Sequence, residues 1–71
     1  MHTYKLHLHN EVQGGFTVSV PSLPGCITYG ENVDEAIAMA KEAIKLYLEE
    51  LKERGEAIID DSNILEYSLI F

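Results

Sequence analysis

One apolar stripe over residues 33–54 constrains the fold of this 71-residue chain more than any other feature. Its apolar residues recur at steps of three and four, which places them on one face of a single helix. Asn32 is a favourable N-cap, Glu35 can reach back to that cap, and Gly55 suits the left-handed position after a helix. The stripe consists of Val33, Ala36, Ile37, Ala40, Ala43, Ile44, Tyr47, Leu48 and Leu51. A helix with such a face needs a second layer to cover it.

Two short stretches before the helix alternate apolar and polar residues and predict β-strands. The first stretch covers residues 4–8 and the second covers residues 16–20. Gly14-Gly15 lies between them and supplies the backbone freedom that a chain reversal requires. The sequence therefore predicts a β-hairpin.

A third strand is predicted over residues 26–29, directly after a turn. Pro24 suits the second position of a type II turn, and Gly25 can adopt the positive φ that the third position demands. Together with the hairpin, this strand gives a three-stranded antiparallel meander. Alternation leaves open which pair of side chains points inward, Cys26 with Thr28 or Ile27 with Tyr29.

The last stretch, residues 64–71, is rich in β-forming residues and predicts a fourth strand. The element order β-β-β-α-β describes a single α+β domain over residues 1–71, with the helix packed on one face of the sheet. A right-handed crossover would lay the last strand parallel to the first, giving the spatial order 3-2-1-4.

The predicted fourth strand carries one charge, Glu66, and no proline, so its edge is weakly protected against pairing with another chain. One helix also covers only one face of a four-stranded sheet. We therefore expect a homo-oligomer, a dimer or tetramer, with edge strand 64–71 at the contact. The predicted oligomer contact consists of Leu65, Tyr67, Leu69 and Phe71.

The charge balance excludes several function classes. Twelve acidic and five basic residues give a net charge of −7. Nucleic-acid binders concentrate lysine and arginine in patches, so direct nucleic-acid binding is not expected, whereas a basic protein partner is. No apolar run could span a membrane, the start of the chain is too polar for a signal peptide, and Cys26 has no cysteine to pair with. These features indicate a cytoplasmic protein.

The outer face of the predicted helix combines acidic residues with two apolar ones, and we name this set the acidic ridge. A ridge of this kind suits recognition by a basic partner, although a generic solvated helix face is the simpler alternative. The acidic ridge consists of Glu35, Met39, Glu42, Leu46, Glu49 and Glu53.

Few side chains could carry catalysis or bind a metal. His7 and His9 could share a metal ion, but no spaced third ligand accompanies them, which favours solvated surface histidines. Cys26 has no neighbouring base or cation and is interpreted as a small buried residue. Glu66 is the only acid within a predicted strand, so a two-metal nuclease site is not expected. We therefore predict a non-enzymatic protein without a cofactor or metal.

The run from Phe16 to Gly55 resembles the HicB family of bacterial and archaeal antitoxins. The resemblance is carried by Phe16–Val20, the turn Pro21–Cys26, Gly30, Glu35-Ala36, Glu42–Ile44, Tyr47–Glu49 and Gly55-Glu56. It implies a partial RNase H-like fold without nuclease activity. It also implies the inhibitory half of a type II toxin–antitoxin pair, which binds a basic mRNA-cleaving HicA toxin and neutralises it by occlusion.

Many HicB proteins continue into a C-terminal DNA-binding module. Because nothing follows Phe71 in this sequence, autorepression through DNA binding is not expected here. Two alternatives to the antitoxin role stay open. One is a residual RNase H-like nuclease that uses Glu66, and the other is a stand-alone regulatory or metal-binding protein that uses His7 and His9.

Overall fold

A computed structural model describes the whole chain, residues 1–71, as three strands followed by one helix. The elements are β1 (His7–Asn10), β2 (Phe16–Ser19), β3 (Ile27–Gly30) and α1 (Val33–Glu53). The strands form one antiparallel sheet in the order β1-β2-β3. The predicted α+β class and the predicted meander are confirmed. No helix in this fold combines the length and apolar character needed to cross a membrane.

The hairpin of β1 and β2 is confirmed, but β1 begins at His7 and not at residue 4. Residues 3–5 instead lie against the connection that follows α1. The backbone N–H of Thr3 donates to the Asp60 carboxylate at 3.1 Å, and that of Lys5 donates to the Asp61 carboxylate at 2.7 Å. Because these two N–H groups donate to carboxylates, they are not available to pair with a neighbouring strand.

The turn between β2 and β3 has the predicted chemistry. The Cys26 N–H donates to the Leu23 carbonyl at 2.9 Å, and Gly25 has φ of 83°. Beyond the turn, Cys26 is buried and Thr28 is half-buried, whereas Ile27 and Tyr29 are exposed. The structure thus decides the question that alternation left open, and Cys26 with Thr28 faces the helix.

The helix begins directly after Asn32 and ends at Glu53, close to both ends predicted from its capping residues. Asn32 Oδ1 accepts the Glu35 N–H at 2.8 Å, which satisfies one of the free donors in the first turn. The Glu35 carboxylate accepts the N–H of Glu31 at 3.0 Å, so it binds one residue before the cap and not the cap itself. At the other end, Gly55 has φ of 69° and terminates the helix.

The core lies between α1 and the sheet, and it is small. Only 8 of the 71 residues are buried. Val18 of β2 packs on Ala36 and Ala40 of α1, with Leu6, Leu8 and Phe16 around them. A second cluster joins Val20, Leu23 and Cys26 to the half-buried face of α1, including Tyr47. Small residues at positions 36 and 40 let the helix approach the sheet closely.

The prediction of a fourth strand is wrong. The predicted spatial order 3-2-1-4 is therefore also wrong for this single chain. The sheet has three strands, and residues 64–71 form none. The reason is the point at which the chain returns to the sheet. Asp61 donates its N–H to the Thr3 carbonyl at 2.7 Å, upstream of β1, and the bond from Ile64 N–H to Asp61 O at 3.0 Å is the last backbone bond. Residues 65–71 make no ladder with β1.

Candidate partner-binding surface

The acidic ridge lies on the solvent side of α1. Because Ala36 and Ala40 pack on the sheet, the opposite side of the helix points away from the core. All six ridge residues are exposed, and the two apolar ones, Met39 and Leu46, expose 46% and 61% of their surface. The structure thus brings the predicted residues together on one accessible face, whereas their role in binding stays a prediction.

The ridge carboxylates lack compensating cations. Arg54 Nε lies 3.3 Å from Glu50 Oε1 and 3.3 Å from Glu56 Oε2, neither of which belongs to the ridge. The remaining close contacts between basic and acidic side chains join His2 to Asp60 and His7 to Glu66. Negative charge on the ridge is therefore available to an external cationic surface, and such an interaction is weakened by salt.

A different flank of α1 forms an apolar groove with a basic rim, which we name the basic groove. It has a volume of about 500 Å³ and lies between the N-terminal segment and the helix. Lys41 and Lys45 form its rim. Its other lining residues are His2, Tyr4, Leu6, Ile37, Ile44 and Leu48. The helix thus separates its charges, with acids on the ridge and lysines at the groove.

The face of the sheet opposite α1 is uncovered. The register places His7 opposite Ser19 and His9 opposite Thr17, so both histidines point to this face. Glu66 Oε1 lies 3.2 Å from His7 Nε2, and both side chains are more than half exposed. No group of three or more His, Cys, Asp or Glu side chains is placed to hold a metal ion. The two histidines therefore lack the third ligand that a metal site on this face would need.

Two aspartates in the connection after α1, Asp60 and Asp61, organise the chain ends, and we name them the aspartate clamp. The Asp61 carboxylate accepts the Ser22 hydroxyl and the Lys5 N–H. Asp60 accepts the Thr3 N–H at 3.1 Å and the Ser62 hydroxyl at 2.8 Å. The clamp thus ties the N-terminal segment, the turn after β2 and the segment after α1 to one another.

Hydrogen bonding stabilises the charged form of both clamp carboxylates. The Ser62 hydroxyl, followed by the Thr3 N–H, lowers the pKa of Asp60 to about 2. The Ser22 hydroxyl, followed by the Lys5 N–H, lowers the pKa of Asp61. Residues 60–63, Asp-Asp-Ser-Asn, are turn-forming, but that local pattern does not reveal the distant hydrogen-bond partners of the two carboxylates, which lie 39 to 57 residues away.

Cys26 does not have the surroundings of a nucleophile. Its side chain is 6% exposed and packs with Val20 and Leu23. Burial raises the pKa of its thiol, which disfavours the reactive thiolate. The interpretation as a small buried residue agrees with this position.

Comparisons with known proteins point to one family. Residues 4–69 match the family described as the HicB-like antitoxin of bacterial toxin–antitoxin systems. A UPF0150 protein of Thermoplasma acidophilum is 41% identical over 59 residues, which cover 83% of this chain and 86% of that protein. A UPF0150 protein of Archaeoglobus fulgidus is 44% identical over 57 residues, covering 78% of this chain and 83% of the relative.

A third relative is longer than this chain. It is an uncharacterized 14.9 kDa protein from the rep-hol intergenic region of Haemophilus phage HP1, 39% identical over 57 residues. The match covers 80% of this chain but 43% of the phage protein, so the similarity spans less than half of that relative.

Proposed function

This chain belongs to the HicB-like antitoxin family, and we propose that it binds and neutralises a small basic, mRNA-cleaving toxin of the HicA type. Neutralisation is by occlusion, without chemistry on the toxin or on RNA. The observation that carries the proposal is the acidic ridge, a row of exposed carboxylates without cationic partners in a member of an antitoxin family.

Electrostatics supports the choice of the ridge as the toxin-binding surface. A protein that cleaves RNA needs cationic side chains to hold the phosphate backbone. The ridge carboxylates compete with phosphates for those cations, and complementary charge also accelerates association. Met39 and Leu46 supply the apolar area that a stable contact buries between the charges.

The proposal assigns no catalytic residue to this chain. A nuclease of the RNase H type needs several carboxylates that converge on divalent ions. Glu66, the acid considered for that role, lies beside His7 on the open side of the sheet and belongs to no group of three potential ligands. Cleavage of an RNA–DNA hybrid with Mg²⁺ or Mn²⁺, lost in a Glu66→Gln variant, would instead support the nuclease alternative.

Self-association belongs to the same proposal. Copies of the chain associate through residues 64–71, whose apolar side chains are exposed in the single chain. An added strand beside β1 would also supply the fourth strand that the partial RNase H-like relation requires. The exposed apolar segment supports this part of the proposal.

Charge reversal on the ridge tests toxin binding. In a Glu42→Lys/Glu49→Lys variant, we expect the affinity for a small basic toxin of the HicA type to fall at least about tenfold. The reason is that each substitution replaces an attraction with a repulsion. The dependence of Kd on salt should also become weaker. Isothermal titration calorimetry at several salt concentrations measures both effects.

A matched control separates the ridge from net charge. Glu31 and Glu56 are exposed acids outside the ridge, and reversing both gives the same change in net charge. This control should weaken binding far less. Equal losses in both variants would contradict the ridge as the site, and unchanged affinity in the ridge variant would direct attention to the open sheet face.

A further inference from the structure

Residues 64–71 present contiguous apolar side chains without a partner. Leu65, Tyr67 and Leu69 expose 88%, 83% and 71% of their surfaces, and the segment makes no backbone hydrogen bond after Ile64. Soluble proteins seldom leave a contiguous apolar patch open to water unless another molecule covers it. We therefore expect another surface to cover the apolar side chains of this segment.

The free edge of β1 and the basic groove together offer such a surface. β1 pairs only with β2, so the N–H and C=O groups on its other side are free to accept a further strand. The groove is bounded by the chain just before β1 and by α1, and Leu6, Ile44 and Leu48 give it apolar walls. A strand added at this edge would cover the groove with one of its two faces.

The alternation of residues in the segment indicates which face that would be, since Leu65, Tyr67 and Leu69 lie on one face and Glu66 and Ser68 on the other. His7 points to the open side of the sheet, and Glu66 Oε1 lies 3.2 Å from its Nε2. Successive side chains of a strand point to opposite faces. In an added strand the apolar face with Leu65 and Tyr67 would therefore turn to the helix side, where the groove lies, and Glu66 would turn to the open side.

The charge of the groove limits what can occupy it. Lys41 and Lys45 line the helix side of the groove, whereas Asp60 lies 3.4 Å from His2 on its other side. The two lysines make the groove a poorer match for a basic toxin than the acidic ridge is. Segment 64–71 has one negative and no positive side chain, so it meets no repulsion at this rim. Its own chain does not use the groove in this way, because Leu65 and Tyr67 stay exposed although Glu66 already contacts His7.

We propose that segment 64–71 of one copy adds as a strand to β1 of a second copy and places Leu65 and Tyr67 in the basic groove of that copy. The exchange is reciprocal, which gives a closed two-fold dimer. The acidic ridge lies on a different flank of α1 and stays free. This inference rests on the proposed self-association and goes beyond it by naming the receiving surface.

Disulfide trapping between two single-substitution variants tests the contact. One chain carries Tyr67→Cys and the other carries Ile44→Cys, and we expect a disulfide-linked heterodimer when the two are mixed under oxidising conditions. Native Cys26 is buried, and wild-type chain treated in the same way reports any background linkage. Matched controls are Ile70→Cys, on the opposite face of the segment, and Glu42→Cys, on the ridge.

Two outcomes of the trapping experiment would contradict the proposal. Linkage of Tyr67→Cys to Glu42→Cys as readily as to Ile44→Cys would overturn the assignment of the groove. A chain that carries both Tyr67→Cys and Ile44→Cys and closes its disulfide at monomer mass would show that the segment docks on its own chain, which also overturns the proposal.

Sedimentation of unlinked variants gives an independent measurement. Tyr67→Lys should weaken self-association at least about tenfold, since a lysine would face an apolar wall beside two lysines. Ile70→Lys adds the same charge on the other face and should weaken it much less. Dimers unaffected by Tyr67→Lys would reject the groove, and a wild-type chain that stays monomeric would reject self-association itself. Toxin affinity of Tyr67→Lys should be unchanged, so failure of the ridge proposal is a separate result.

Discussion

At the scale of single residues, Gly30 determines how closely the helix approaches the sheet. It ends β3 and is buried against the first turn of α1. A Cβ atom at this position would overlap the backbone nitrogen and Cα of Ala36. Backbone atoms cannot yield as a flexible side chain can, so the absence of a side chain at residue 30 is a packing requirement.

We expect Gly30→Ala to destabilise the fold by about 2–3 kcal/mol, the upper part of the range of about 1–3 kcal/mol for overpacking in a closely packed core. Gly55→Ala is a useful comparison, because its Cβ would meet open space and only the positive φ would oppose it. That variant should lose about 1 kcal/mol. Urea unfolding measures both, and equal losses would contradict the steric explanation at residue 30.

At the scale of elements, the aspartate clamp holds together three segments that have no regular structure. The N-terminal segment, the turn after β2 and the segment after α1 meet at Asp60 and Asp61. Because hydrogen bonds lower the pKa of both carboxylates, the clamp is strongest when both are charged. It therefore makes the stability of these segments depend on pH.

The sign of this dependence follows from the lowered pKa values. A carboxylate with a lowered pKa in the folded state stabilises the fold above its ordinary value of 3.8, and the contribution is lost as the pH falls towards about 2. We expect Asp61→Asn to be less stable than wild type at neutral pH and to lose less stability on acidification. Urea unfolding at about pH 6 and about pH 3 tests this. Glu53→Gln, an exposed control, should keep the pH dependence of wild type.

At the scale of the whole molecule, one helix on three short strands makes a thin domain. With 8 buried residues, the single chain leaves much apolar surface in contact with water, and six of its fifteen exposed large apolar side chains lie in residues 64–71. Chains of this size often need a partner to be stable. Self-association and stability are therefore expected to be linked.

This linkage predicts a melting temperature that depends on concentration. Because a dimer is favoured at higher concentration, Tm of the wild-type chain should rise by about 4 °C for each tenfold increase in concentration. Differential scanning calorimetry over a hundredfold range measures the shift. Tyr67→Lys should show almost none, and a constant Tm in the wild type would contradict stabilisation by association.

Local features of the sequence were enough to predict the helix, the two turns and the charge of the surface. Asn32 and Gly55 act through bonds and dihedral angles within a few residues, so their effect is visible without the rest of the chain. The exposure of Met39 and Leu46 also followed from helical periodicity alone.

Tertiary structure decided the features that depend on residues far apart in the chain. The inward face of β3 was decided by where α1 packs, and the start of β1 by hydrogen bonds from Thr3 and Lys5 to the aspartate clamp. The sequence shows that residues 64–71 favour β-structure. A strand forms, however, only where a neighbouring strand lies in register to pair with it. The return of the chain at Asp61, upstream of β1, left this segment without that partner.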